Sequence, residues 1–144
     1  MFSKTCEYGI KAVVYIAMQS LKGYRVKIGD VVNNTGTPEA FTAKILGTLT
    51  KANVIQSYKG PNGGFEIDKT QMHNLYLSQI IHAIDGDAVY NGCGLGLQEC
   101  NADEPCPLHE KFVSIRAQLK KMVETTTLFE LATKLEQGES ILLR

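Results

Sequence analysis

Apolar positions along the chain repeat with two periods. Between residues 5 and 21, Ile10, Val13, Val14, Ala17 and Leu21 share one face at helical spacing, and Gly23 stops the run. Residues 28–34 predict a shorter helix with Ile28, Val31 and Val32 turned inward, followed by a turn at Thr35-Gly36. Thr37-Pro38 reads as a cap followed by proline at the first helical position. A third helix is therefore expected from Pro38 to about Ala52, burying Phe41, Ile45, Leu46 and Leu49. The period then shortens. Val54 to Tyr58 and Phe65 to Ile67 are β-prone, and Lys59-Gly-Pro-Asn-Gly-Gly64 between them is turn chemistry, so the pair predicts a hairpin.

Three helices followed by a hairpin is the element order of a winged helix-turn-helix. The expected fold class is mainly α with a small β-hairpin wing. Beyond residue 72, Leu77, Ile80, Ile81 and Ile84 predict a helix over 76–85, with Gly86 as its stop. Residues 86–107 hold glycine, proline and cysteine with little apolar rhythm and read as a long loop, a kind of segment that usually has a function or a ligand. From Leu108 the pattern resumes. Leu108, Phe112, Ile115, Leu119 and Met122 form a two-heptad seam suited to a partner helix. Thr127-Leu-Phe-Glu130 matches a capping box that opens a last helix to about Glu136. The expected division is a DNA-binding unit over 1–72, a connecting helix over 73–86, a sensor loop over 87–107, and a dimerisation helix with a short last helix over 108–144.

The 144 residues, 44% hydrophobic and 21% charged, are ordinary for a globular protein. The net charge is zero, yet it is unevenly spread. Residues 1–64 carry eight bases against three acids; residues 65–144 carry seven bases against twelve acids. A polyanion is drawn to the first half and repelled by the second. The apolar run Ala12 to Met18 is too short to span a bilayer, and the start does not resemble a signal peptide. A cytoplasmic location without membrane contact is expected. Neither a glycine-rich nucleotide loop, a nucleophile elbow nor a carboxylate pair is apparent, so no enzyme and no small-molecule substrate are expected.

Three of the four cysteines, Cys93, Cys100 and Cys106, lie within 14 residues, and His109 follows. Structural zinc usually takes ligands in closely spaced pairs, whereas six and five residues intervene between these. Wide spacing in a glycine-rich loop suits an iron–sulfur cluster better. Zinc, redox-active thiols and free thiols remain alternatives. Cys6 reads as a small buried residue of the first helix, His73 and His82 as surface or boundary histidines.

On the third helix, Thr37, Glu39, Ala40, Ala43 and Lys44 occupy the first turns, the end that enters a major groove. Thr37 and Lys44 suit phosphates; Ala40 and Ala43 suit a thymine methyl but give no bidentate readout. Lys59 at the hairpin tip suits an adjacent minor groove.

Taken together, these residues resemble the IscR/NsrR-type winged-helix regulators, which sense iron–sulfur status, nitric oxide or redox state. The likeness rests on Phe2-Ser-Lys-Thr-Cys-Glu-Tyr8, Lys44-Ile-Leu46 with Leu49, Lys59-Gly-Pro-Asn-Gly-Gly-Phe65, Leu77 to Gly86, the three cysteines, and Thr127-Leu-Phe-Glu-Leu131. It implies a homodimer crossed through the long helix on a pseudo-palindromic operator. Implied DNA contacts come from Ser3, Lys4 and Tyr8, from the third helix, and from Lys59, Gly60, Pro61 and Asn62. It also implies a cluster, 2Fe–2S favoured over 4Fe–4S, on Cys93, Cys100 and Cys106. The fourth ligand is His109, as in IscR-like members, with Glu7 of the other subunit as the NsrR-like alternative and Cys6 as a third. Two departures stand out. Lys59 occupies a place where arginine is usual, and Ala43 one where some relatives carry a polar reader.

Overall fold

The computed structural model describes residues 2–144. In chain order the elements are α1 (Lys4–Leu21), α2 (Ile28–Thr35), α3 (Glu39–Lys51), β1 (Gln56–Tyr58), β2 (Gly64–Glu66), α4 (Lys69–Met72), α5 (Leu77–Asp85), α6 (Ala88–Asn91), α7 (His109–Thr125) and α8 (Leu128–Glu136). The expected winged helix is present: three helices lead into an antiparallel hairpin in which Gln56 faces Glu66 and Tyr58 faces Gly64. Val26, just before α2, pairs with Phe65 and widens this ribbon by one bridge.

Helix α1 is the hub. Its pattern predicts one buried face, but Ala12 through Ala17 are all buried. The reason is that α2, α3, α5 and α8 surround it. A helix apolar on all sides is stable only when wrapped in this way. At Gly9 the wrapping is closest: a β-carbon there would lie 2.3 Å from Ile84 of α5 and 3.2 Å from Ile45 of α3. The C-terminal α8 also lies along α1. It is seated by a short bridge between Tyr76 and Thr127, with Leu128 N–H donating to the Leu75 carbonyl at 2.7 Å.

Several expectations need correction. Pro38, not Thr37, is the capping residue of α3, which begins at Glu39. Phe41 is 58% exposed, while Thr42 is fully buried in its place. The Thr42 hydroxyl lies 2.8 Å from Thr37 Oγ1 and 2.7 Å from the Pro38 carbonyl, so its polarity is satisfied inside and the core has no need of Phe41. A short helix, α6, interrupts the stretch expected to be a loop, and another, α4, follows the hairpin where no element was expected. On α7 the seam divides: Leu119 is buried against the core together with Val123, whereas Ile115 and Met122 are exposed. No helix among the described residues is long and apolar enough to cross a membrane.

Candidate DNA interface and cysteine loop

Helix α3 presents Glu39, Ala40, Ala43 and Lys44 to solvent, with Gly47 one turn further on. Thr37 is different. It is buried, and its hydroxyl is engaged by Thr35 at 2.9 Å and Thr42 at 2.8 Å, so it faces away from any phosphate. At the start of α1, Ser3 caps the helix by accepting from Cys6 N–H at 3.0 Å and donates to Asp85 at 2.6 Å. Its hydroxyl thus joins α1 to the end of α5. Lys4 is exposed and pairs with Glu7 at 3.0 Å. That hydrogen bond raises the Lys4 ammonium above its ordinary range and holds the Glu7 carboxyl below its own. Tyr8 lies half-buried, its ring 6.4 Å from that of Phe41.

The wing depends on its glycines. A β-carbon at Gly63 would lie 2.2 Å from the Tyr58 carbonyl oxygen. Gly64 has φ +133°, with the Val26 carbonyl 2.7 Å from where a β-carbon would stand. Lys59, Gly60, Pro61 and Asn62 form the exposed tip. Two bases from the α1–α2 connection hold this tip, and the pattern of the chain gave no sign of them. The Arg25 guanidinium stacks 3.7 Å from the Tyr58 ring centroid, pairs with Glu66 at 3.1 Å and donates to the Asn62 carbonyl at 3.3 Å. Lys27 donates to the Gly60 carbonyl at 3.2 Å. The only clue available was composition: two further bases in an already basic half.

The cysteine loop is built on the start of α7. The Phe112 ring lies against Gly94, where a β-carbon would meet it at 2.3 Å. Cys93, Cys100 and Cys106 are half-buried free thiols. Cys93 Sγ accepts from Leu95 N–H at 3.4 Å. Backbone N–H groups of Leu95 and Leu97 hold its thiol below the ordinary range, with a hydrogen bond to the Cys106 side chain adding to this. Cys100 instead lies 3.4 Å from His109 Nδ1. Arg116 of α7 donates to Cys100 Sγ at 2.9 Å and also to the Gly92 carbonyl. The donors therefore do not converge: Cys100 stands with His109, while the Cys93 thiol is held by the backbone of its own turn. Among the described residues no three Cys, His, Asp or Glu side chains are close enough together to hold one metal ion. In kind, three thiols and an imidazole are a donor set for a soft centre. His73 and His82 are exposed, as expected, and His73 stacks on Phe129 with centroids 4.0 Å apart.

Comparison with known proteins decides the family. The model of the Rrf2 family, described as iron-dependent transcriptional regulators, matches residues 2–134. The chain belongs to the Rrf2 family. A protein of Aquifex aeolicus named as an HTH-type transcriptional regulator is 30% identical over 133 residues, covering 91% of this chain and 90% of its own. The fold is shared with CymR, the global cysteine regulator of B. subtilis, at a TM-score of 0.73 and 19% identity, over 92% of this chain and 96% of that one. It is shared likewise with IscR of T. potens at a TM-score of 0.71 and 15% identity, over 97% and 91%. As an Rrf2 protein the chain is a DNA-binding transcriptional regulator.

Proposed function

We propose that this Rrf2 protein is a homodimeric, sequence-specific regulator working in the cytoplasm, whose DNA binding answers to an iron–sulfur cluster on Cys93, Cys100, Cys106 and His109. The observation that carries this reading is the link made by Arg116. One guanidinium on α7 holds both the Gly92 carbonyl and Cys100 Sγ, so the order of the loop and the placement of α7 are coupled. If α7 is also the dimer helix, the state of the loop sets the separation of the two recognition helices. When bound, the cluster supplies a centre sensitive to oxidation and to nitric oxide. The chain's own part is to offer three thiols and an imidazole, and to bring the separated donors of residues 93–109 into one site. DNA is engaged by Lys4, Tyr8 and the exposed residues of α3, and by the wing tip.

A second reading is thiol sensing without a cluster. It is favoured by the Cys93 thiol, held below its ordinary range by backbone N–H groups, and by the shared fold with a protein named as a cysteine regulator.

Anaerobic purification separates the two. The cluster reading expects absorbance across about 320–460 nm, characteristic of thiolate-ligated iron, with iron and sulfide in near-equal amounts. It further expects that replacing all three loop cysteines by alanine removes the colour and changes operator affinity. A colourless, metal-free protein whose DNA binding responds to a thiol oxidant leaves only the second reading. Colourless protein carrying zinc, with DNA binding indifferent to oxidants, overturns both.

A further inference from the structure

Phe41 stands on the third position of α3 and is 58% exposed, among the most exposed large apolar side chains of the chain. It is held in that state by the local chemistry already described: Thr42 occupies the inward place, tied to Thr37 and Pro38. On the outer surface Phe41, Lys44 and Thr48 follow one another at spacings of three and four and so form a single stripe along the helix. That stripe borders a shallow cavity of about 290 Å³ shared with Thr5 and Ile84. Tyr8 backs the Phe41 ring from α1, with centroids 6.4 Å apart and planes inclined at 43°. The rest of the exposed first turns is Glu39 with Ala40 and Ala43, the two alanines being small enough to allow close approach.

This apolar projection has Lys44 one turn on and Glu39 two residues before it on the same helix, and it lies within the half of the chain that is net positive. The net positive charge of residues 1–64 favours a polyanion over an apolar protein partner. A major groove offers one apolar group on its floor, the C5 methyl of thymine, which side chains such as Phe contact. We propose that Phe41 is a specificity-determining residue that reads a thymine methyl in each half-site. The proposal rests on the DNA-binding reading of α3. It also answers a difficulty within that reading. Ala40 and Ala43 are too small to select a base firmly, and Lys44 contacts phosphate without selecting a base, so an apolar reader on the same turns supplies discrimination they lack.

The test uses the full-length protein. Preferred duplexes are first selected from a random pool. Each thymine of the selected half-site is then replaced by deoxyuridine, which removes only the methyl. The wild-type chain is expected to lose affinity by about fourfold at one thymine per half-site, the value of one buried methyl. Phe41→Ala is expected to bind the thymine and uracil duplexes equally at that position, while Phe41→Leu keeps part of the difference. Because Phe41 is exposed, circular dichroism of both variants should match the wild type. Discrimination that survives in Phe41→Ala, or a wild type indifferent to every methyl while binding duplex well, overturns the role of Phe41 alone. A change of oligomeric state in Phe41→Ala with discrimination intact does so too, and assigns the ring to a protein interface. Failure of the wild type to bind any duplex at low salt overturns the DNA-binding reading itself.

Discussion

Cys6 and Cys93 carry the same thiol in opposite surroundings. Cys6 is fully buried beneath the first turn of α1. Burial pushes its thiol from an ordinary 9.0 to about 12, and the neighbouring Asp85 charge adds to the rise. The folded thiol thus keeps its proton where the unfolded one has lost it. The resulting contribution to stability is complete below about pH 9 and disappears as pH climbs toward 12. Iodoacetamide at pH 7.5, on metal-free reduced protein, should therefore modify the three loop cysteines and spare Cys6 until denaturant is added. Peptide mass spectrometry reads this directly, and comparable labelling of Cys6 in the native protein would contradict it. The sequence was legible at Cys6, a small apolar residue on a helical face. It was not legible at Phe41 and Thr42. Hydrophobicity ranks phenylalanine inside, but a threonine whose hydroxyl finds acceptors one turn back fits the interior at little polar cost.

At the scale of the element, the wing is the clearest case of a unit stiffened from outside itself. A two-stranded ribbon is marginal alone. Here Val26 adds a bridge, and Arg25 and Lys27 clamp the tip through Tyr58, Glu66, Asn62 and Gly60. Arg25→Gln removes the stacked cation and the ion pair together. Such partly exposed pairs are worth about 1 kcal/mol or less, so the melting temperature should fall by only a few degrees. Operator affinity should drop several-fold as the tip loosens. Thermal denaturation and a binding titration at fixed salt would show this contrast; an unchanged titration would mean that the clamp is idle in DNA binding. The hairpin was readable from its glycines and its two β-prone runs. The clamp was not, because Arg25 and Glu66 are 41 residues apart.

At the scale of the whole molecule, α7 leaves Leu108, Val113, Ile115 and Met122 exposed, all on one helix or at its cap. A run of apolar exposure of this kind marks an interaction surface, and a second copy of α7 is the partner proposed above. Ile115→Asp places a charge there without touching the core. It should yield a monomer in sedimentation with unchanged circular dichroism, and weaken operator binding more than tenfold as two-site avidity is lost. A variant that remains dimeric would move the interface elsewhere. By itself the sequence determined the kind and order of the main elements, the turn chemistry of the wing, the basic first half and the presence of a soft donor set, since each is a property of a short window of residues. Tertiary structure alone decided that the middle of α1 is buried on all sides, that Thr42 and not Phe41 faces inward, that Arg25 reaches the wing, and that Cys100 falls to His109 and Arg116. Those pairings depend on how helices far apart in the chain pack around α1 and against α7, and no local period carries that information.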